Sequence, residues 1–126
     1  MLIIAIGTEV IECVRIGKMI ERHGELFLER VYTFAEVAYC SERSTATQHF
    51  SAMWAAKEAV MKTLGGRRNN LRWNQVEIFI DGAGATSVRL AGAARQRGEM
   101  LNISAFQISL GRCRTHATAF VIATGS

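Results

Sequence analysis

Apolar residues recur along the chain with two different periods. Residues 2–6, Leu-Ile-Ile-Ala-Ile, form a short continuous run ended by Gly7, the pattern of a buried strand lying centrally in a sheet. From Ile11 the apolar positions Ile11, Val14, Met19 and Ile20 fall at helical spacing, with Glu12, Arg15, Lys18 and Arg22 between them, until His23-Gly24 supplies a stop. A shorter helical stretch covers residues 25–30, and Thr33-x-x-Glu36 then makes a capping box that starts a third helix near Phe34. The longest helix, capped by Ser44 or Thr45, runs through residues 49–64 and stops at Gly65-Gly66. At about 100° per residue, Phe50, Met53, Trp54, Val60, Met61 and Leu64 form one broad stripe, while Ala55, Ala56 and Ala59 make the opposite face small. A helix apolar on both sides belongs at the centre of the molecule.

Residues 67–72 read as a basic loop. Beyond it, residues 73–80 alternate through Val76, Ile78 and Ile80 as a strand ending in the turn Asp81-Gly-Ala-Gly84, with a hairpin partner at residues 87–90. A modest helix over residues 91–100 follows. Two closing strands, 103–110 and 117–124, are separated by the basic turn Gly111-Arg-Cys-Arg114. This order predicts an α+β fold, a mostly antiparallel sheet packed on one long central helix.

Composition narrows the classes. The 126 residues suit a single domain over 1–126, and 49% apolar with 21% charged residues excludes disorder. No apolar run approaches the roughly 18 residues that cross a bilayer, and the run at 2–6 lacks the basic leader of a secretory segment, so a soluble protein of the cytoplasm, with no membrane partner, is expected. Fifteen Lys and Arg against eleven Asp and Glu give +4, which favours anionic partners. Cys13, Cys40 and Cys113 are odd in number and outside any C-x-x-C, predicting reduced thiols packed as small hydrophobes, with neither a disulfide framework nor a zinc site. No proline is present, so Gly, Asn and Thr must punctuate the chain.

Charge on the long helix is the chemical anomaly. Lys57 projects near the middle of the apolar stripe, Glu58 at its edge and Lys62 about 40° further round. One account has Lys57 snorkelling and Glu58 paired with Lys62 at i+4. The other makes the helix the floor of a polar cleft, where Glu58 binds a cation and Lys62 meets a phosphate, with a second carboxylate nearby. Glu9, directly after the first strand, is the candidate for that carboxylate, or else an acidic residue favouring a helix N-terminus, and Glu12 carries the same alternatives. Arg43, Arg67, Arg68, Arg72, Arg112 and Arg114 are the available phosphate binders, most of them expected to be solvated surface charge. His23, His49 and His116 are scattered and suit surface or structural roles. Trp54 and Trp73 fall in core elements, which speaks against a nucleic-acid partner that would stack bases on exposed aromatics.

Two segments are recognisable together: Ile6-Gly-Thr-Glu-Val-Ile-Glu12 followed by Arg15, and Trp54-Ala-Ala-Lys-Glu-Ala59 followed by Lys62. They resemble holo-acyl-carrier-protein synthase, the small bacterial type of 4′-phosphopantetheinyl transferase, with its patterns G-x-D-x-x-E and F-A-A-K-E-A-x-x-K. Agreement continues through residues 21–30, Thr33-x-x-Glu36, Trp73-x-x-Val-Glu-Ile78, Val88-Arg-Leu-x-Gly92 and Ile108-Ser-Leu110. The resemblance implies transfer of the phosphopantetheine arm from coenzyme A to a serine of an acidic apo acyl carrier protein, with Mg²⁺. It implies metal at Glu9 and Glu58, chemistry at Glu58 and Lys62, and coenzyme A contacts at Arg43, Lys62, Gly65, Gly66, Ser109 and Arg112. It also implies carrier docking on Arg15, Lys18 and Arg22, and a homotrimer with sites between subunits.

The chain departs from the family pattern at several of these places. Glu9 stands where Asp is usual, Met53 where Arg precedes F-A-A-K-E-A, and Gly111-Arg112 where Ser-His follows Ile-Ser-Leu. Gly82-Ala-Gly84 replaces a Gly-x-Pro turn. Arg112 can stand in for the histidine and hold a phosphate by its fork. The alternative function is a divergent homologue that binds carrier protein or a coenzyme A-like nucleotide without transfer.

Overall fold

A computed structural model describes residues 1–66 and 69–126 of the chain. At its centre runs α4 (Ala46–Thr63), the helix apolar on both sides, with twelve of its 18 residues buried. Before it come β1 (Leu2–Glu12), α1 (Cys13–His23), α2 (Glu25–Val31) and α3 (Phe34–Ser41). After it come β2 (Val76–Ile80), β3 (Thr86–Leu90), α5 (Gly92–Met100), β4 (Ile103–Arg112) and β5 (His116–Gly125). The strands form one three-stranded sheet in the order β1-β5-β4 and one hairpin, β2-β3, all antiparallel. The predicted α+β architecture is what the chain adopts, and among the described residues no helix is long and apolar enough to cross a membrane.

The local starts and stops follow from the residues. Thr33 Oγ1 accepts from Glu36 N at 3.3 Å and Glu36 Oε1 accepts from Thr33 N at 2.8 Å, the reciprocal box that opens α3. Gly24 at φ 51° ends α1, a left-handed position that costs glycine little. On β5 the small residues Ala117, Ala119, Val121 and Ala123 alternate inward and are buried against α4. Small residues allow close packing, and Gly7 on β1 shows how close: a Cβ there would lie 2.0 Å from the Ala59 carbonyl oxygen of α4.

Several expectations change. β1 runs on through Gly7 to Glu12, so Glu9 lies within the strand rather than after it. β1 is not central but an edge strand, and Leu2, Ile3, Ile6 and Val10 are exposed. A continuous apolar run has side chains on both faces of the sheet, and only one face is covered by α4 within this chain. Residues 73–75 form a 3-10 turn rather than strand, because the Trp73 carbonyl is taken by Lys57 Nζ at 3.1 Å and Gln75 Oε1 accepts from Arg72 N at 3.2 Å. β4 continues through Gly111 and Arg112, which pair with Thr118 and Ala117, so the turn is tighter and lies beyond them. Cys113, in that turn, is exposed, unlike the buried Cys13 and Cys40. Hydrogen bonds to the Cys113 thiol, Thr115 first, hold its pKa below the ordinary thiol value. Burial drives the Cys40 thiol up to about 12.

Lys57 does not snorkel. It is fully buried, its Nζ 2.7 Å from Glu36 Oε1, and it also donates to the carbonyls of Trp73 and Val76. Glu36 in turn accepts from Ile78 N at 2.7 Å, so the pair ties α3, α4 and β2 together. Burial pushes the Glu36 carboxyl up and the Lys57 ammonium down, and their mutual attraction opposes both shifts. Among the described residues no buried side-chain polar atom lacks a hydrogen-bond partner, which is the condition for tolerating such a pair in a core.

Candidate functional site

Glu9 lies in register with Ala119, on the same face of the sheet as the buried Gly7 and Ile11, so its side chain is delivered to the α4 side. There it meets Lys62, whose Nζ donates to the Thr8 carbonyl at 2.7 Å and stands 3.5 Å from Glu9 Oε2. The Glu58–Lys62 pairing is not formed. Instead Glu58 Oε1 accepts from Trp73 Nε1 at 3.0 Å, and Lys62 reaches across to the edge strand. With side chains 48% and 22% exposed, the Lys62–Glu9 contact is a weak surface pair that a phosphate can displace.

A cleft of about 720 Å³ unites Glu9 and Glu58 with Arg15, Lys18 and Arg22 of α1. Ile16, Met19, Phe27, Trp54 and Trp73 supply its apolar wall. The two tryptophans are half-buried, packed against the core on one side and lining the cleft on the other. Arg15, Lys18 and Arg22 are exposed, recur at i, i+3 and i+7 on one helix face, and line the same cleft as the two carboxylates. Glu12, by contrast, is exposed and makes no side-chain cap at the start of α1.

Glu9 and Lys62 also border a second cleft of about 510 Å³, with Thr8, Ser109, Gly111 and Phe120. Ser109 lines a third, about 520 Å³, with Tyr39, His49, Met53 and Arg112. Glu9 and Ser109 are thus shared walls that link the three spaces. Met53 cannot offer a donor here: it is 1% exposed, with its sulfur 3.6 Å from Cys40 Sγ. Arg112 lines the same cavity and is tethered to α4 by Nη1 donating to Gln48 Oε1 at 3.1 Å. Arg43 is held against Tyr39, its guanidinium 3.4 Å from the ring centroid and its Nη1 donating to the Tyr39 carbonyl at 2.5 Å. Gly65 and Gly66, at φ 93° and 85°, follow the end of α4 just beyond Lys62. Arg67 and Arg68 lie outside the described residues, and Arg72 and Arg114 are exposed. His49 is buried, its Nδ1 3.0 Å from the Thr45 carbonyl, a structural role, while His23 and His116 are at the surface.

Sequence reasoning missed Trp73 as the partner of Glu58, Glu36 as the partner of Lys57, and Arg97, whose Nε caps the last turn of α4 at the Leu64 carbonyl, 3.0 Å away. The signal for Glu36 was Lys57 itself, since a buried ammonium demands a carboxylate. Among the described residues no three His, Cys, Asp or Glu side chains cluster as a closed metal cage. Two carboxylates beside a cationic wall suit a hard cation that completes its shell from water and phosphate oxygens, as Mg²⁺ does.

A family model for the 4′-phosphopantetheinyl transferase superfamily matches residues 5–121. The holo-[acyl-carrier-protein] synthase of Rhodopirellula baltica is 46% identical over 122 residues, 97% of this chain and 98% of that one. The crystal structure of holo-[acyl-carrier-protein] synthase from Neisseria meningitidis superposes with a TM-score of 0.88 at 26% identity, covering 98% of this chain and 99% of that one. That of the Bacillus anthracis synthase, in complex with coenzyme A (3′,5′-ADP), gives 0.80 at 25% identity over the whole of both chains. The motifs read at the outset thus sit in the fold they imply, and the chain belongs to the 4′-phosphopantetheinyl transferase superfamily, among its holo-[acyl-carrier-protein] synthases.

Proposed function

We propose that this protein, a single domain over residues 1–126 acting in the cytoplasm, transfers the 4′-phosphopantetheine arm of coenzyme A to a serine hydroxyl of an acidic apo acyl carrier protein, dependent on Mg²⁺ and releasing adenosine 3′,5′-bisphosphate. One observation carries the reading. Glu9 on β1, and Glu58 on α4, 49 residues later, open on one cleft with Lys62 beside Glu9 and the basic face of α1 above it. The synthase function of relatives covering nearly all of the chain supports it.

Glu9 and Glu58 would hold the cation, which when bound neutralises negative charge developing on the pyrophosphate. Lys62 exchanges its weak contact with Glu9 for a phosphate oxygen. Glu58 orients or deprotonates the attacking serine, directly or through water. Ser109, Arg112, Arg43 and the Gly65-Gly66 turn contact the nucleotide end, with Arg112 supplying a guanidinium fork in the cavity where Met53 offers none. Arg15, Lys18 and Arg22 receive the acidic carrier, and their charge raises association rate and fixes orientation.

A homotrimer completes the site. Ile6, Val10 and Phe120, 54%, 58% and 45% exposed, lie on the uncovered face of the sheet, and the cleft of Glu9, Lys62 and Ser109 opens among Val10, Thr118 and Phe120. Covering that face with neighbouring copies removes apolar surface from water and walls the cleft. Intact mass of apo acyl carrier protein incubated with this protein, coenzyme A and Mg²⁺ tests the function. A gain of one phosphopantetheine arm, lost with chelator, is the expected result. Coenzyme A binding without any gain, across several carriers, would mark a divergent binding homologue instead.

A further inference from the structure

Trp73 is gripped at both ends by consecutive residues of α4. Lys57 Nζ donates to its main-chain carbonyl at 3.1 Å, while Glu58 Oε1 accepts from its indole Nε1 at 3.0 Å. Side chains at adjacent helical positions diverge by about 100°, so the two contacts approach residue 73 from different directions and fix both its backbone and its ring. Lys57 is in turn immobilised by Glu36, 2.7 Å away and itself anchored by Ile78 N and Thr33 N. The chain Glu36–Lys57–Trp73–Glu58 therefore leads from the fully buried core to a carboxylate on the cleft.

We propose that Trp73 is a positioning residue for the Glu58 carboxylate, and that the buried Glu36–Lys57 pair fixes Trp73 for this task. This rests on the assignment of Glu58 to the reaction made above. A carboxylate at the edge of a wide cleft has two freely turning terminal bonds' worth of orientations, and a hydrogen bond from a rigid indole selects among them. The donor binds one oxygen, so the other is presented in a defined direction. Groups that ligate or move protons are commonly tuned through such neighbours, whose loss costs about 10- to 100-fold in metal affinity or activity. The arrangement also gives the Lys57-Glu58 dipeptide a joint purpose: its first residue aims the residue that aims its second.

The test is Trp73→Phe, which keeps an aromatic wall, although a smaller one, and removes the indole N–H donor. The expected result is a kcat lower by about 10- to 100-fold, with the KM values for coenzyme A and carrier within about twofold, and Mn²⁺ bound more weakly by a similar factor in titrations without substrate. Glu58→Gln and the double variant should then have equal rates, because Trp73 acts through Glu58 alone. An unchanged kcat, or a rise in KM alone, overturns the proposal. If Trp73→Phe fails to fold, the indole N–H proton resonance of Trp73 decides: it moves upfield in folded Glu58→Ala when the hydrogen bond is real, and stays in place when it is not. If the wild-type protein transfers nothing, the functional reading fails while Mn²⁺ titration still judges the positioning. Equal affinities in wild type and Trp73→Phe overturn it, as does absence of Mn²⁺ binding to the wild type, and weaker binding in the variant sustains it.

Discussion

Lys57 and Lys62 leave the same helix five residues apart, yet one is fully buried and the other half exposed at the side chain. Lys57 points into the junction of α3, α4 and β2, where Glu36 and two carbonyls satisfy its three N–H groups. Lys62 reaches over the edge of β1 to one carbonyl and a loosely held Glu9. The sharp difference is in what a ligand can do to each. Displacing Glu36 from Lys57 would strand a charge in the core, whereas displacing Glu9 from Lys62 costs little. In the proposed mechanism the helix separates cohesion from chemistry by rotation alone, with Glu58 between the two sides and only about 40° from Lys62.

Lys57→Met breaks the comparison on its buried side and should have the largest effect. It leaves Glu36 unpaired in the core, at a cost of about 3–5 kcal/mol in urea unfolding, where loss of a surface lysine costs well under 1. A variant as stable as wild type would show that the pair contributes nothing to cohesion. On the cleft side, Glu58→Gln keeps size and hydrogen bonding but removes charge, so transfer should fall by about 10²–10³-fold with the fold unchanged by circular dichroism. Retained activity would remove Glu58 from the mechanism. The smallest effect sharpens the account at the nucleotide end. Arg112→Ala should raise the KM for coenzyme A several-fold more than that for 3′-dephospho-coenzyme A, and equal changes would show that Arg112 does not read the 3′-phosphate.

The sequence made the helices legible because their boundaries are written locally. The Thr33–Glu36 box, the Gly24 stop and the glycines after α4 are all signals within a few residues of the boundary they mark. The centrality of α4 was equally readable, since no surface helix carries apolar residues on both faces. What local pattern could not convey was partnership across the chain. An apolar run such as residues 2–6 is the same in a central strand and in an edge strand with one face exposed. Trp73 alternates correctly for a strand, but its carbonyl is claimed by Lys57, 16 residues earlier, and the backbone turns there instead. Glu9 was nameable as the companion of Glu58 only as one of two open readings, which their motifs then strengthened. That they line one cleft depends on β1 crossing α4 at the contact that Gly7 permits.

The division of the helix is tested most directly by Lys62→Met, with unfolding free energy and transfer rate measured on the same preparation. The account predicts stability within about 0.5 kcal/mol of wild type, because the lost contacts to Thr8 and Glu9 are half-exposed and weak, together with a fall in transfer of at least about tenfold from loss of the phosphate contact. A variant that loses stability but keeps its rate would contradict it, placing Lys62 with Lys57 among the residues that hold the fold.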